Sequence, residues 1–512
     1  MRAAFASHSA VASQTSPYFA GVASIVRSVP FKLAVATFAV RIRTFSAPPD
    51  DGNVGLYFYV AHEWLSGWLP YTRAWEYKPP GLFAVYAGGL AIFRTPMLTA
   101  AILSATAIFC TALALRAIGR ACDTEHGNAI GTVAACFYIF LSTEDAGLTG
   151  DAPILAAAFA AWAVYLYGFS HRVAERPVAR AFCVGLLAGL ALQMKLTALP
   201  IAALLALLIA ASAGRRMPQM LAVFFAAAAL PVLPEIYAYA NAGRIAQLYD
   251  ANVGATLRRL LTIGGADPRA GRLQDAMAQT RVLAPAAELV LFAAIPPTAR
   301  RVWVLFAWLA CALLAILLSR EYYERQFFEL IAPLSILGAI GAVRLGRLLA
   351  QPRVTAIILV LLAFALHDYY TVRKTLQTAY ERSFAHRQLY NREHLEFLLA
   401  GLREYAHGDP SLYAFQESPI VYVYLQAQPP TRYPFSADLL EPKLWPMLGF
   451  SGAAELQRIV AARPHYVLLG QADGPRDDRS ALTYFARSVK MHYRLVATID
   501  GDPLYRLAPS GR

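Results

Sequence analysis

Apolar stretches long enough to cross a lipid bilayer recur along the first 370 residues of the chain. About 20 apolar residues in a helix cross the roughly 30 Å of hydrocarbon in a membrane. Runs of roughly this kind occur at 29–46, 96–117, 128–142, 152–170, 181–197, 198–213, 219–240, 285–298, 302–319, 326–348 and 354–370. The pattern predicts an α-helical polytopic membrane protein with about 11 transmembrane helices, with a kink at Pro200 as an alternative to two separate runs there.

The loops between these runs differ in charge. Basic residues concentrate in alternate loops, and such loops face the cytoplasm under the positive-inside rule. The basic loops contain Arg116 and Arg120, the sequence HRVAERPVAR, Arg215 and Arg216, Arg300 and Arg301, and Arg344, Arg347 and Arg353. The remaining loops hold most of the acidic and aromatic residues, and we expect them to lie outside the cytoplasm.

The chain changes character after the last apolar run. Strand-like runs, SLYAFQ, IVYVYLQ, HYVLLG and YRLVATI, alternate there with helical patterns at about 387–405 and 452–463. This alternation predicts a small α/β domain. We expect it outside the cytoplasm if the amino terminus is inside, because an odd number of crossings precedes it. We therefore expect a disordered lead-in over 1–20, a transmembrane domain over 21–370 and an extracytoplasmic α/β domain over 371–512.

Composition agrees with a membrane protein. Of 512 residues, 57% are hydrophobic and 15% are charged, whereas about a quarter of a soluble chain is charged. The net charge of +13 comes from dispersed Lys and Arg residues, which favours membrane orientation over nucleic-acid binding. The five cysteines form no CxxC pair and the ten histidines are scattered, so neither predicts a metal site.

A polar segment over 47–95 follows the first apolar run. Its PPDDGN sequence, which contains Asp50 and Asp51, is either a solvated turn or a functional site. The next stretch, VGLYFYVAHEWLSGWLP, has the spacing of an amphipathic helix in the membrane interface. In YTRAWEYKPPG, Glu76 and Lys78 lie on an extended segment, because a residue before proline avoids the helical region.

A second external loop, STEDAGLTGDAP, ends at Asp151, where the next apolar run begins. An aspartate before Ala-Pro is a natural helix N-cap, so capping alone would explain Asp151. A catalytic role is the alternative, since carboxylates beside a bilayer are costly unless they are solvated or used. The same alternatives apply to Glu144 and Asp145.

The order of Asp, GLYFYVAHEWLSGWLPY and KPPG resembles the first external loop of the GT-C superfamily of integral-membrane glycosyltransferases. The similar branch contains protein O-mannosyltransferases, aminoarabinose transferases and RgtA-like enzymes. GLLAGLALQMKLTALP, YYERQFFELIAPLSIL and ELQRIVAARPHYVLL resemble further segments of these enzymes. The resemblance implies an inverting glycosyltransferase that moves a sugar from a polyprenyl phosphate to a lipid, glycan or protein acceptor. It also implies a bacterial inner membrane location with the active site on the periplasmic face.

The resemblance also implies roles for individual residues. Family members usually have Asp-Glu directly before the helix, where this chain has Asn53-Val54, so the catalytic aspartate is Asp51 or alternatively Asp50. Lys78 would bind the donor phosphate and Glu76 would orient Lys78, or Glu76 is a solvated surface charge. Aromatic residues of the loop, Tyr57 among them, would line a sugar site.

Further implied groups are an acid, a possible metal and extra cations. An acidic residue at the place of Asp151 helps to form the active site in related enzymes, sometimes with a divalent metal ion that Asp51 and Asp151 would hold. No other cofactor is implied. A second cation for the phosphate would come from Arg325 first, then Arg258, with Lys195, Arg259 and Arg320 as further candidates, although each could instead be a snorkelling side chain.

Two other functions would also explain many membrane spans. A transporter or flippase has buried charges too, but these usually lie near the bilayer midplane on broken helices. Here the acidic groups lie at the ends of spans on one face. A glycan polymerase or ligase would use diphosphate-linked oligosaccharides, and the KPPG loop argues against it.

Overall fold

The helices of the membrane region account for most of the fold. The computed structural model describes residues 28–46, 52–143, 149–262, 287, 289–295, 300–319, 324–349, 392–470 and 478–509. The helices before residue 350 are Val29–Val40 (α1), Gly52–Leu65 (α2), Pro80–Phe93 (α3), Pro96–Cys122 (α4), Gly127–Leu141 (α5), Ala152–Gly168 (α6), His171–Ala174 (α7), Pro177–Met194 (α8), Leu199–Ala213 (α9), Met217–Ala229 (α10), Leu233–Asn241 (α11), Ile245–Tyr249 (α12), Ala255–Thr262 (α13), Arg300–Ser319 (α14) and Glu324–Leu348 (α15).

Five helical segments of the described chain are long and apolar enough to cross a membrane. They are Pro96–Cys122, Pro177–Met194, Leu196–Ala229, Arg301–Ser319 and Arg325–Leu348. Four shorter apolar helices accompany them, namely α1, α3, α5 and α6. The predicted class of an α-helical polytopic membrane protein is therefore confirmed. The predicted run at 354–370 and the predicted lead-in over 1–20 lie outside the described residues.

Local sequence fixes where several of these helices begin. Thr95 caps α4, because its hydroxyl accepts a hydrogen bond of 3.3 Å from the N–H of Leu98, and Pro96 occupies the first helical position. The polar segment over 47–95 contains the helices α2 and α3, and α3 begins at Pro80 of the KPPG sequence. The apolar stretch over 181–213 is broken at Lys195, where the backbone is extended between α8 and a short 3-10 turn, and Pro200 lies in the first turn of α9. This break agrees with two separate runs instead of one helix kinked at Pro200.

Small residues allow close packing in the membrane region. An added Cβ at Gly119 of α4 would lie 2.5 Å from the Cα of Gly131 in α5. A larger residue at either position would therefore push the two helices apart. In a bilayer, where lipid tails are as apolar as leucine, such backbone proximity supplies much of the attraction between helices.

The tail forms a mixed unit with a four-stranded sheet in the order β1-β2-β4-β3. β1 and β2 are parallel, whereas β4 is antiparallel to both β2 and β3. The tail elements are Arg392–Ala406 (α16), Leu412–Phe415 (β1), Ile420–Leu425 (α17), Ser436–Leu440 (α18), Trp445–Leu448 (α19), Gly452–Ala462 (α20), Tyr466–Leu469 (β2), Arg479–His492 (α21), Tyr493–Ile499 (β3) and Asp502–Leu507 (β4).

Most of the elements predicted in the tail are confirmed, and one is wrong. SLYAFQ, HYVLLG and YRLVATI contain strands, and both helical patterns contain helices. IVYVYLQ is the helix α17 instead of a strand, although its β-branched and aromatic residues favour sheet. Its buried residue Tyr422 packs its ring 5.5 Å from that of Tyr59 in α2 and accepts a hydrogen bond from the Ala414 N–H. Tertiary packing thus outweighs β propensity here.

Candidate active site

The segment that carries Lys78 is held from two sides. The Lys78 carbonyl accepts a hydrogen bond of 2.6 Å from the hydroxyl of Tyr71. The N–H of Trp75 donates to the Arg432 carbonyl of the tail at 2.7 Å. Because Lys78 precedes two prolines, its backbone is also confined to extended conformations. The loop therefore has little freedom to move its side chains away from the site.

Lys78 and Glu76 form a buried ion pair. The Lys78 Nζ lies 3.2 Å from Glu76 Oε1, and the two side chains are only 11% and 4% exposed. Burial acts to lower the pKa of Lys78, but the charge of Glu76 and the interactions with Tyr77 together outweigh burial, so the pKa is raised overall. Lys78 therefore carries its positive charge at physiological pH, as a phosphate-binding group requires.

A second cation lies beside Lys78 on the same aromatic ring. The Lys78 Nζ is 3.7 Å from the ring centroid of Tyr77, and the Arg259 Cζ is 5.0 Å from it. Each cation is attracted by the negative face of the ring. The two cations repel one another, since Arg259 acts to lower the pKa of Lys78. An anion placed against both would relieve this repulsion.

Asp151 caps α6, as its sequence context predicts. Its Oδ1 accepts hydrogen bonds from the Ala152 N–H at 2.6 Å and from the Tyr57 hydroxyl at 3.1 Å. Its side chain is 1% exposed, and its Oδ2 lies 4.0 Å from Nη1 of Arg325. No described group donates a hydrogen bond to Oδ2. The structure thus brings Asp151, Tyr57 and Arg325 together, and Asp151 keeps one oxygen outside the cap.

Tyr57 connects the aspartate with the lysine loop. Its hydroxyl donates to Asp151, and its ring centroid is 5.9 Å from the Lys78 Nζ. It also packs edge to face against Tyr86 at 5.6 Å, and the hydroxyl of Tyr86 donates to the Gly150 carbonyl directly before Asp151. Tyr57 and Tyr86 therefore pack around Asp151, and Tyr57 contacts both Asp151 and Lys78.

Arg258 has a different place from the one predicted. Its Nη1 lies 2.7 Å from Asp250 Oδ1, and its Nε and Nη2 donate to the Met447 carbonyl at 3.2 and 3.1 Å. These contacts tie α13 to the tail helix α19. Its neighbour Arg259 points to Tyr77 instead, although the prediction put Arg258 above Arg259. The two residues differ by about 100° around the helix, and sequence alone does not tell which of them faces the site.

Lys195 lies in an ion pair between α8 and α15. Its Nζ is 2.9 Å from Glu329 Oε1 and donates to Gln326 Oε1 at 2.8 Å. Thr197 also hydrogen-bonds to Glu329. Lys195 is thus paired with a carboxylate of α15, the helix that carries Arg325 in its first turn. This geometry favours a tie between helices over the predicted contact with substrate.

Gln193 is a polar residue of the site that the sequence did not reveal. Its Oε1 accepts a hydrogen bond of 2.9 Å from the N–H of Gly81 in the KPPG sequence. Its Nε2 donates to Glu235 Oε2 at 3.0 Å. A Cβ added at Gly81 would lie 2.7 Å from the Gln193 side chain, so this contact needs glycine. A lone amide in an apolar run is the signal that could have identified Gln193.

Five other predicted residues, Asp50, Asp51, Glu144, Asp145 and Arg320, lie outside the described part of the chain. The described helix α2 begins at Gly52, directly after Asp51 in the sequence. A divalent metal would need more than Asp151, which offers one oxygen without a hydrogen bond from the described residues. Arg325 already places positive charge 4.0 Å from that oxygen. Of the two predicted metal ligands, Asp51 and Asp151, the structure describes Asp151 alone.

An open cavity of about 310 Å³ lies between α2 and the tail. It is lined by charged and polar side chains, including Tyr59, Glu63, Arg73, Arg432 and Arg458. Burial raises the pKa of Glu63. Arg73 lies 3.9 Å from Glu63 and packs against the ring of Trp68 at 3.6 Å. The cavity is thus polar and connects the loop region with the tail.

Comparison with solved structures identifies similar folds. Neither a protein-family model nor a curated protein matches the sequence. ArnT from Cupriavidus metallidurans, solved bound to undecaprenyl phosphate, has a TM-score of 0.65 at 13% identity, and the match covers 94% of this chain and 98% of ArnT. The oligosaccharyltransferase AglB from Archaeoglobus fulgidus, solved with an inhibitory peptide and a dolichol-phosphate, has a TM-score of 0.53 at 12% identity, covering 87% of this chain and 70% of AglB. Both are members of the GT-C superfamily, and this chain shares their fold, as the resemblance of its first external loop predicts.

Proposed function

We propose that this protein is an inverting glycosyltransferase that uses a polyprenyl-phosphate-linked sugar. The observation that carries the proposal is the pair of cations, Lys78 and Arg259, whose charged groups lie 3.7 and 5.0 Å from the ring centroid of Tyr77. The ligands of the two similar structures support it, since ArnT was solved with undecaprenyl phosphate and AglB with a dolichol-phosphate. A lipid phosphate is the kind of anion that such a cation pair would bind.

Negative charge develops on the donor phosphate as the bond from the sugar to the phosphate oxygen breaks. Lys78 and Arg259 would stabilise that charge, and fixed cations in a buried site do so without reorganising solvent. Glu76 permits Lys78 to be buried at all, because an uncompensated buried ammonium would be costly. It also fixes the direction of Lys78 through the 3.2 Å contact.

A base must accept the proton of the acceptor hydroxyl. In a single displacement the acceptor oxygen attacks the anomeric carbon from the face opposite the phosphate, which inverts the configuration. Asp51, or alternatively Asp50, is the proposed base or acceptor-orienting group. The Oδ1 of Asp151 is already engaged by the α6 cap and Tyr57. Asp151 is therefore better suited to orient Tyr57 and Arg325 than to act as the base.

The proposed acceptor is a lipid, glycan or protein with a polar group at the external membrane face. The polar cavity between α2 and the tail, lined by Arg73, Arg432 and Arg458, supports an approach from the tail side. The charge of the loops supports the periplasmic orientation of this face and a location in a bacterial inner membrane. The one candidate cofactor is a divalent metal ion, which Asp51 and Asp151 would hold.

The test is binding and transfer by full-length protein in lipid nanodiscs. Undecaprenyl phosphate binding is measured by native mass spectrometry, and transfer by following a radiolabelled sugar from undecaprenyl-phosphate-hexose into membrane extract. Lys78→Ala should weaken binding roughly 10- to 100-fold, because a hydrogen bond to a charged group contributes about 1.5–3 kcal/mol. The matched control is Lys490→Ala, which removes an exposed lysine of the tail.

Two results would contradict the proposal. Equal binding of undecaprenyl phosphate by Lys78→Ala and by the unaltered protein would show that Lys78 does not bind the phosphate. Movement of the labelled lipid across sealed vesicles, without any transfer of sugar to an acceptor, would support a flippase instead.

A further inference from the structure

Four side chains from separate parts of the tail meet at one edge of its sheet. His394 lies on α16, Glu417 follows β1, and Asp500 and Asp502 lie on the two sides of Gly501 in the β3–β4 turn. Nδ1 of His394 lies 2.8 Å from Asp500 Oδ2. Its Nε2 lies 3.2 Å from Asp502 Oδ2 and 3.6 Å from Glu417 Oε2. Three carboxylates therefore converge on one imidazole.

The spacing of these atoms matches the ligands of a tetrahedral metal ion. Zinc binds nitrogen and carboxylate oxygen at about 2.1 Å, so two ligand atoms of one tetrahedral ion lie about 3.4 Å apart. The His394 Nε2 distances of 3.2 and 3.6 Å lie on either side of this value. One ligand atom from each of His394, Glu417 and Asp502 lies within 4.8 Å of the others.

The two ring nitrogens of His394 are used as they are in metal sites. A histidine that binds a metal through one nitrogen usually donates the N–H of the other to a carboxylate, which fixes the ring and its tautomer. Asp500 occupies that place at Nδ1, and it leaves Nε2 directed to Glu417 and Asp502. A neutral imidazole with its proton on Nδ1 has a lone pair on Nε2, where a metal would bind.

The backbone around the cluster holds these side chains in place. A Cβ added at Gly470, after β2, would lie 2.4 Å from Glu417 Oε1, so the absence of a side chain makes room for this carboxylate. Asp500 and Gly501 both have positive φ, 49° and 95°, which makes the tight turn that brings Asp502 next to His394. Asp502 is 3% exposed. The carboxylate of Asp502 is thus oriented inward by the fold.

We propose that His394, Glu417 and Asp502 bind a divalent metal ion, with Zn²⁺ as the preferred ion and Asp500 as the residue that orients His394. One nitrogen and two oxygen donors suit a first-row ion such as Zn²⁺ better than Mg²⁺ or Ca²⁺, which prefer oxygen alone. The ion would join α16, the segment after β1 and the β3–β4 turn. The proposal is independent of the glycosyltransferase proposed above, because none of these residues contacts Lys78 or Asp151 in the contacts described.

A metal-free arrangement is the competing explanation. A protonated His394 could bridge the carboxylates through its two N–H groups. The experiment must therefore detect the ion directly, and it must do so in the full-length protein.

The experiment measures zinc in purified full-length protein. Protein in detergent is stripped with a chelator, dialysed against buffered micromolar Zn²⁺ and assayed by elemental mass spectrometry. We expect about one tightly bound Zn²⁺ per chain in the unaltered protein. His394→Ala should lose it, and Asp500→Asn should bind it 10- to 100-fold more weakly, as is typical when an orienting partner is lost.

The tail offers a matched control. His465 forms an exposed pair with Asp409 at 2.8 Å and is not among the residues of the cluster. His465→Ala should retain the zinc. Glu417→Gln keeps the shape of the side chain but removes its charge, so it should lose zinc while the circular dichroism spectrum is unchanged. Co²⁺ in place of Zn²⁺ should give a tetrahedral visible spectrum that His394→Ala lacks.

Two outcomes would overturn the proposal. One is an unaltered protein that binds no zinc after reconstitution, which would support the protonated histidine. The other is equal zinc content in the unaltered protein, His394→Ala and Glu417→Gln. Failure of this test leaves the donor-binding test of Lys78 unaffected, since the two are measured with different ligands.

Discussion

Two clusters of charged side chains in this molecule differ in sign among the described residues. The described part of the cluster in the membrane region holds three cations, Lys78, Arg259 and Arg325, and two carboxylates, Glu76 and Asp151. The described part of the cluster in the tail holds three carboxylates, Glu417, Asp500 and Asp502, and one histidine, His394. Opposite charges attract, so a basic cluster favours an anion and an acidic cluster favours a cation. We propose ligands of these two kinds, a lipid phosphate for the first cluster and a divalent ion for the second.

The clusters also differ in what their charged groups contact. In the membrane region the Tyr57 side chain contacts Asp151 through its hydroxyl and Lys78 through its ring. The rings of Tyr57 and Tyr77 thus accompany the ion pairs of this cluster. In the tail four charged groups contact one another, with His394 between three carboxylates.

The largest effect is expected from removing the cation that carries the first cluster. Lys78→Ala should lower the rate of sugar transfer by about 10²–10³-fold, as loss of one charge-stabilising group typically does. The fall in rate should exceed the loss of donor affinity, because the phosphate charge is greatest in the transition state. Single-turnover assays in nanodiscs measure the rate. If Lys78→Ala transfers sugar as fast as the unaltered protein, Lys78 does not stabilise the phosphate charge, and the basic cluster is not the donor site.

Asp151 gives a smaller effect that separates charge from capping. Asp151→Asn keeps an N-cap residue but removes the charge near Arg325, so it should lower transfer about 10- to 100-fold with little change in stability. Asp151→Ala removes both and should also lose about 1 kcal/mol of stability. Transfer assays and thermal unfolding distinguish the two variants. Equal transfer by Asp151→Asn and the unaltered protein would show that the cap is the whole role of this residue.

Substitutions of the neighbouring residues Arg258 and Arg259 in α13 test which of them is the second phosphate-binding cation. Arg259→Gln should weaken undecaprenyl phosphate binding about tenfold, because one cation on Tyr77 is lost. Arg258→Gln should leave that affinity within about twofold, since its contacts run to Asp250 and Met447. Native mass spectrometry of both variants under one condition compares them. The reverse order of effects would mean that Arg258 is the phosphate ligand.

The smallest effect concerns the tail cluster and is one of stability. A ligand present at 100 times its dissociation constant stabilises the folded state by about 2.7 kcal/mol. Removing Zn²⁺ with a chelator should therefore lower the midpoint of thermal unfolding by about 5–11 °C, since 1 kcal/mol shifts that midpoint by about 2–4 °C in a large domain. The His394→Ala variant should show no such shift. A chelator-dependent shift of equal size in His394→Ala would assign the stabilisation to another site.

The sequence predicted the parts of the fold that depend on local chemistry. Apolar runs identified the membrane helices, because a bilayer leaves helices as the only stable form of a single apolar span. Asp151 before Ala-Pro predicted a helix cap, and the 2.6 Å hydrogen bond to Ala152 is that cap. The KPPG sequence predicted an extended segment at Lys78, because proline restricts the residue before it.

Local chemistry was insufficient where distant segments meet. IVYVYLQ has strand-like residues, yet packing against α2 makes it a helix. Lys195 is a plausible phosphate ligand in the sequence, but Glu329 on a helix more than a hundred residues away pairs with it. Arg258 and Arg259 are neighbours in the sequence, so the sequence does not show which of them faces Tyr77. The orientation of α13 in the structure shows that Arg259 does.

The sequence by itself determined the membrane class, the GT-C resemblance and the chemical types available to the site. Tertiary structure decided which of those groups meet. His394 and Asp502 are 108 positions apart and show no spacing that indicates a shared ion, yet the pairing of β3 with β4 brings Asp502 to 3.2 Å from the histidine. The physical reason is that a charge interaction depends on distance in space, and only the packing of helices and strands fixes that distance.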